Sequence, residues 1–154
     1  MVKMIVMDVD GTLTDGKIYM GENGEVMKAF NCHDAVGVRK LKDKIISVII
    51  TGRESKITLN RAYEMGVTLV YQNISDKKSK LLEICEENEI SLDDVLYIGD
   101  DINDLDCLKI CGISCCPRDA IAEVKNECDF VSNFKAGEGT VREVIDLLLS
   151  GYFD

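Results

Sequence analysis

The chain has 154 residues, 46% of them apolar, and a formal net charge of −10. That length can bury a real core without staples and sets an expectation of one domain over residues 1–154. The acidic balance argues against nucleic acid, which rewards basic faces. No apolar run reaches the roughly 18 residues of a membrane span, and the N-terminus lacks a signal peptide's apolar region, so a cytoplasmic protein without a membrane partner is expected.

The first apolar run, residues 3–8, reads as a strand that delivers Asp8 and Asp10 into a turn at Gly11. Strand side chains alternate between faces, so the two carboxylates share a side of the chain. Such a pair is costly unless a cation lies between them or one keeps its proton. It suits an oxygen-liganded divalent metal, with one carboxylate free to attack and the other to shuttle a proton. The competing reading is a strand that ends in a solvated, Asp-rich turn.

Residues 16–31 carry IYMGENGEVMKAF, two alternating stretches about Glu22-Asn23-Gly24, a good hairpin signal. A β-hairpin flap is therefore expected at the rim beside Asp8 and Asp10. A helix over 35–43 leads to a strand over 45–50, which ends in Thr51-Gly52-Arg53: a hydroxyl, a flexible backbone and a guanidinium, all suited to phosphate oxygens. Ser55 can cap the helix over 55–65, and Asp76 the helix over 77–89 that follows a strand over 67–71. Lys77 opens that helix, where a cation opposes the dipole, so an anionic partner explains it better than helix stability does; the alternative is a solvated member of the run Lys77-Lys78-Ser79-Lys80. The strand over 95–99 ends in Gly99-Asp100-Asp101-Ile102-Asn103-Asp104, placed to complete a metal site or, failing that, a solvated acidic loop. A helix over 103–110, a strand over 112–115, a helix over 119–126, a short strand over 129–131 and a helix over 139–149 complete the pattern.

Alternation with short connections implies a parallel sheet with helices on both faces. In such sheets the ligand site lies outside the carboxyl ends of the strands. Four strand ends carrying carboxylates, Thr, Lys and more carboxylates are not independent accidents. The seven cysteines, an odd number, argue against a disulfide framework and are read as buried thiols. The one histidine, His33, reads as a polar or hydrogen-bonding surface residue beside Asp34, with a minor substrate-side role left open.

DVDGTLTDG, ITGRES, Lys77 and GDDINDLD resemble the four ordered motifs of the haloacid dehalogenase-like phosphohydrolase superfamily. KAFNCHDAVGVRKL, TGRESKITLNRAYEMGV, YQNISDKKSKL, YIGDDINDLDCL and AGEGTVREV extend the resemblance over nearly the whole chain, to the small branch typified by 3-deoxy-D-manno-octulosonate 8-phosphate (KDO 8-phosphate) phosphatases. The resemblance implies an α/β fold, a Rossmann-like three-layer sandwich with a central parallel sheet, a β-hairpin flap after the first strand and no cap domain. It implies a magnesium-dependent phosphatase acting on a phosphorylated 2-keto-3-deoxy sugar acid, foremost KDO 8-phosphate, through an aspartyl-phosphate.

By the same resemblance Asp8 is the nucleophile and Asp10 the acid and then the base. Mg2+ is held by the Asp8 carboxylate, the Asp10 carbonyl and Asp100, with Asp101 and Asp104 steadying that shell. Thr51 and Lys77, with backbone N–H groups near Gly11 and Gly52, bind the phosphoryl oxygens. Arg53 goes with the eight-carbon acid, where Glu goes with nine-carbon ulosonates, and Arg61 matches a position that reaches a neighbouring site. Glu64 stands where the nine-carbon enzymes tend to carry Lys. The family's answer to the missing cap is a homotetramer in which each flap covers its neighbour's site, with Ile18, Tyr19, Met20, Val26 and Met27 fitting the interface; the alternative is a flap folded on its own domain. A nine-carbon ulosonate 9-phosphate phosphatase (KDN or N-acylneuraminate), a broad phosphatase, and a weakly active oligomerisation module of a sugar-nucleotide synthetase are the other readings. The complete motif set argues against the last, and Asp10 argues against dehalogenase chemistry. The chain as read stops at Gly151-Tyr152-Phe153-Asp154, short of the longer tail of many relatives.

Overall fold

In chain order the strands are β1 (Met4–Met7), β2 (Tyr19–Gly21), β3 (Gly24–Met27), β4 (Ile46–Ile50), β5 (Leu69–Tyr71), β6 (Val95–Ile98), β7 (Ile113–Cys116) and β8 (Phe130–Val131). The helices are α1 (Cys32–Lys40), α2 (Lys56–Met65), α3 (Lys77–Glu87), α4 (Leu105–Leu108), α5 (Ala122–Glu127) and α6 (Thr140–Leu149), in a computed structural model that describes residues 1–154.

Six strands form one sheet in the order β5-β4-β1-β6-β7-β8, and every neighbouring pair is parallel. The strand β1 is buried on both faces, as expected of a central strand covered by helices on each side. Alternate residues divide between two cores. Met4, Val6, Val48, Ile50 and Tyr97 face Leu81 and Ile84 of α3 and Leu108 of α4. Ile5, Met7, Ile49, Leu96 and Ile98 face Val38 of α1, Ala62 of α2, and Val144 and Ile145 of α6. This is the expected three-layer α/β sandwich. No helix is long and apolar enough to cross a membrane.

Ser55 caps α2 by accepting from Thr58 N–H, and Asp76 caps α3 by accepting from Ser79 N–H, as the residue types suggested. Three helices differ from expectation. The helix expected over 119–126 begins only at Ala122, because a turn in which Ala120 N–H donates to Pro117 O occupies the residues before it. The helix expected over 35–43 starts at Cys32, because Asn31 accepts from His33 N–H and fixes the start ahead of the apolar periodicity. The helix expected over 103–110 is a 3-10 turn, Ile102–Asp104, followed by the single turn of α4, because Asp101 and Asp104 close a reciprocal capping box there. All seven cysteines are free thiols, but only Cys85, Cys107, Cys115 and Cys116 are buried; Cys111 and Cys128 are half-buried, and Cys32 is exposed, since its place at the start of α1 faces solvent.

The flap is a two-stranded antiparallel ribbon, β2 with β3, outside the main sheet. Tyr19, Met20, Val26 and Met27 are exposed on it, whereas Ile18 at its base is half-buried.

Candidate active site

The in-register pairing of Met7 with Ile98 makes β1 and β6 end side by side, so Asp8 and Asp100 emerge next to each other. Asp8 is anchored by its own N–H, which donates to Ile98 O at 3.0 Å. Asp100 leans over the turn after β1, where Thr12 Oγ1 donates to its Oδ1 at 3.3 Å. Gly11 is required for this approach: its φ is +88°, and a Cβ would lie 2.1 Å from Asp100 Oδ2.

Asp8, Asp100 and Asp104 each offer a carboxylate oxygen, and the three atoms lie within 4.8 Å of one another. Burial, reinforced by the charge of Asp104 and opposed by Lys77, pushes the Asp8 carboxyl up to about 6. Burial and a hydrogen bond to Asp8 push Asp100 up to about 9. Two carboxylates crowded at a largely buried site hold a proton between them when no cation neutralises them. All-oxygen donors of this kind fit a hard divalent ion such as Mg2+.

Lys77, the first residue of α3, is only 2% exposed. Its Nζ donates to Asp8 Oδ1 at 2.9 Å and to Asp104 Oδ1 at 2.8 Å. Burial would lower its pKa, but the charges of Asp8 and Asp104 outweigh that and hold it above the ordinary lysine value. Asp104 is saturated: Tyr97 Oη donates to Oδ1 at 2.9 Å, and the N–H groups of Asp100 and Asp101 donate to Oδ2 at 3.1 and 3.4 Å. It therefore fastens Lys77 to the loop after β6. Gly99 makes room for it, since a Cβ there would sit 2.5 Å from Asp104 Cγ. Asp101 is exposed, and its carboxylate accepts from Ile102 N–H at 2.7 Å.

A cleft of about 240 Å³ opens over these groups, lined by Asp8, Asp10, Thr51, Gly52, Arg53 and Asp101 among others. Thr51 is held by backbone bonds on both sides: its N–H donates to Tyr71 O at 3.0 Å and its O accepts from Ile74 N–H at 3.1 Å. Arg53 stands at the rim, with Nε donating to Glu25 Oε1 at 3.2 Å. Arg61 is not brought into this cleft. It lies on α2, where Nη1 donates to Glu64 Oε2 at 3.0 Å and the guanidinium sits 5.9 Å from the Phe30 ring centroid.

Three residues at the site have no role in the sequence reading. Lys28, fully buried, bridges Asp10 Oδ1 at 2.9 Å and Glu25 Oε1 at 3.0 Å. Burial would raise Glu25, but hydrogen bonds from Ser55 and Lys28 hold its carboxyl below the usual range. Tyr97 is a phenol inside the otherwise apolar β6, and a buried hydroxyl needing a partner was the one available signal. For Lys28 and Glu25, alternating flap residues with charges read as solvated.

The model of the haloacid dehalogenase-like hydrolases matches residues 23–145. The 3-deoxy-D-manno-octulosonate 8-phosphate phosphatase of Escherichia coli K12 is 40% identical over 149 residues, 96% of this chain and 79% of that protein. Among solved structures, the same enzyme from Yersinia pestis superimposes with a TM-score of 0.93 at 39% identity, covering 97% of this chain and 81% of that one. The Moraxella catarrhalis enzyme, solved with magnesium, phosphate and KDO, gives a TM-score of 0.93 at 35% identity, covering 97% and 86%. The chain thus belongs to the haloacid dehalogenase-like hydrolases.

Proposed function

We propose that this phosphoric monoester hydrolase releases phosphate from KDO 8-phosphate, with magnesium and through an aspartyl-phosphate on Asp8. The observation that carries the reading is the meeting of buried Asp8 and half-buried Asp100, at the ends of neighbouring parallel strands, with the buried Lys77 that opens α3. Phosphoryl transfer asks for this: positioned charge around a nucleophile, more than elaborate covalent chemistry. The likeness to KDO 8-phosphate phosphatases over 96% of the chain supports the substrate, and Arg53 at the rim supports an anionic sugar acid.

Asp8 attacks phosphorus with the oxygen that Lys77 does not hold, forming the Asp8–phosphorus bond as the bond to the sugar oxygen breaks. Asp10 gives its proton to that departing oxygen, then takes one from the water that hydrolyses the aspartyl-phosphate. Thr51, Gly52 and Lys77 bind the transferring phosphoryl group. The carboxylates of Asp8 and Asp100 with the Asp10 carbonyl would hold Mg2+, which when bound neutralises the charge that gathers there. Asp104 and Asp101 steady this shell from behind, Asp104 through its grip on Lys77 and the loop backbone, Asp101 by starting the 3-10 turn.

Residues 1–154 act as one phosphatase domain, in the cytoplasm, within a homotetramer. The exposed flap residues Tyr19, Met20, Val26 and Met27 support that assembly, in which the flap covers the neighbouring site. Arg61, outside its own cleft, is then available to pair with the sugar carboxylate at the neighbour.

The test is phosphate release from KDO 8-phosphate, a nine-carbon ulosonate 9-phosphate and a generic ester, each with magnesium or excess chelator. Magnesium-dependent turnover that favours the eight-carbon acid by orders of magnitude is the expected result. Preference for the nine-carbon acid overturns the specificity, and chelator-insensitive background on all three overturns the activity.

A further inference from the structure

A lysine that leaves the flap to become fully buried is the least expected side chain at this site. Lys28 follows directly on β3, yet its side chain is 0% exposed and its ammonium is wholly taken up. Nζ donates to Asp10 Oδ1 at 2.9 Å and to Thr58 Oγ1 of α2 at 3.4 Å, and it pairs with Glu25 Oε1 at 3.0 Å. Glu25 is engaged in turn by Arg53 Nε at 3.2 Å and by the hydroxyl of Ser55. The chain of contacts therefore runs from Asp10, through Lys28 and Glu25 of the flap, to the arginine at the rim.

Stability does not account for this placement. A buried ion pair pays heavily in desolvation and often contributes no more than an apolar group of the same shape. What it does supply is geometry. Lys28 grips one carboxylate oxygen of Asp10, while Oδ2 has no protein partner and belongs to a residue that lines the cleft. A carboxylate held by one oxygen has a fixed direction for the other. The same lysine is tied to the flap, so that direction depends on where Glu25 lies.

We infer that Lys28 is the positioning residue for Asp10, and that Glu25 makes the aim of Asp10 depend on the docked flap and on Arg53. The inference rests on the role of Asp10 given above. Lys28 touches no reacting atom; it acts through the aspartate. The flap is then part of the proton-transfer apparatus and more than a cover.

The experiment compares kcat/KM for an alkyl phosphate, KDO 8-phosphate, and for para-nitrophenyl phosphate. An alkoxide departs only with a proton, whereas nitrophenolate departs without one, so a misplaced acid slows the first far more than the second. The constant kcat/KM reports the step that expels the alcohol, free of later hydrolysis. Lys28→Met should lose at least about tenfold more on the alkyl ester than on the aryl ester, in the direction of Asp10→Asn. In an Asp10→Asn background, Lys28→Met should leave that ratio unchanged, as for two residues acting as a unit. Glu25→Gln, a change on the flap that leaves the core intact, should shift the ratio the same way by about threefold or more. Equal losses on both esters, or a Lys28 effect that persists without Asp10, would overturn the inference. A wild-type protein inactive on both esters would overturn the phosphatase reading and this inference with it.

Discussion

Asp34 on α1 accepts a hydrogen bond from the backbone N–H of Arg142, in the first turn of α6, at 2.9 Å. Gly139, which precedes α6, has no side chain with which to cap it. A carboxylate from 108 residues away therefore serves as the cap and staples the first and last helices together.

That cap is ionised at a cost. Asp34 Oδ2 is buried without a partner, and burial, only partly offset by the Arg142 N–H, pushes the carboxyl up to about 6. The folded value lies above the unfolded one, so the folded state binds more protons between about pH 4 and 6 and stability falls as pH rises through that window. Asp34→Asn keeps an acceptor oxygen and removes the charge. Its stability relative to wild type should rise by about 2 kcal/mol between pH 4 and pH 7.5 in denaturant titrations. Asp34→Ala loses the cap and should cost about 1–2 kcal/mol at pH 4.

The pair Asp8 and Asp100 gives a second pH signature. With folded values of about 6 and about 9, both lie above their unfolded values. Without metal, stability should therefore decline as pH rises from about 4 to 9, as the shared protons are lost. Saturating magnesium, at about 100-fold its Kd, should add about 2.7 kcal/mol. Because fewer protons then compete for the same oxygens, the melting-temperature increment at a fixed magnesium concentration should be larger at pH 9 than at pH 6. An increment independent of pH would mean that the ion binds elsewhere.

Gly11→Ala tests the same site by shape. The added methyl would fall on Asp100 Oδ2 in a backbone conformation with φ of +88° that disfavours alanine. Displacement of that carboxylate should weaken magnesium by about tenfold or more, the loss typical of a disturbed metal shell. Isothermal titration with magnesium alone reads this without reference to turnover.

Asp8→Asn and Asp10→Asn should separate nucleophile from acid. Asp8→Asn leaves no carboxylate to form the aspartyl-phosphate, and turnover should fall to background. Asp10→Asn should fall by about 10²–10⁴, the usual contribution of a positioned acid and base. Neither should unfold the protein, and Asp8→Asn should stabilise the metal-free form by removing one of the crowded charges. Full activity in Asp8→Asn would end the covalent mechanism.

The strand-end residues were legible because a buried parallel strand announces itself as an apolar run, and chemistry follows where the run stops. Asp8, Thr51 and Asp100 all stand immediately or nearly so after such runs, and Lys77 at a helix start. The α1 boundary was hidden because Asn31 sets it by a local hydrogen bond while the apolar period begins only at Ala35. Lys28 was hidden for a different reason. Its neighbours in sequence are exposed flap residues, and only the fold carries it in against Asp10 and Thr58. Asp34 and Arg142 likewise lie too far apart in sequence for local patterning to join them.

The register of the central strands has one more consequence. Met7 is level with both Ile49 and Ile98, so β4, β1 and β6 stop at nearly the same height and their next residues meet. Side chains alternate, so a slip of one position would turn Asp8 into the apolar layer and send a methionine to the cleft. No halfway arrangement preserves the meeting of Asp8 with Asp100 and Lys77. Recovered catalysis after refolding would therefore count correctly paired molecules, where a spectroscopic measure of helix and sheet content would count the mispaired ones as well.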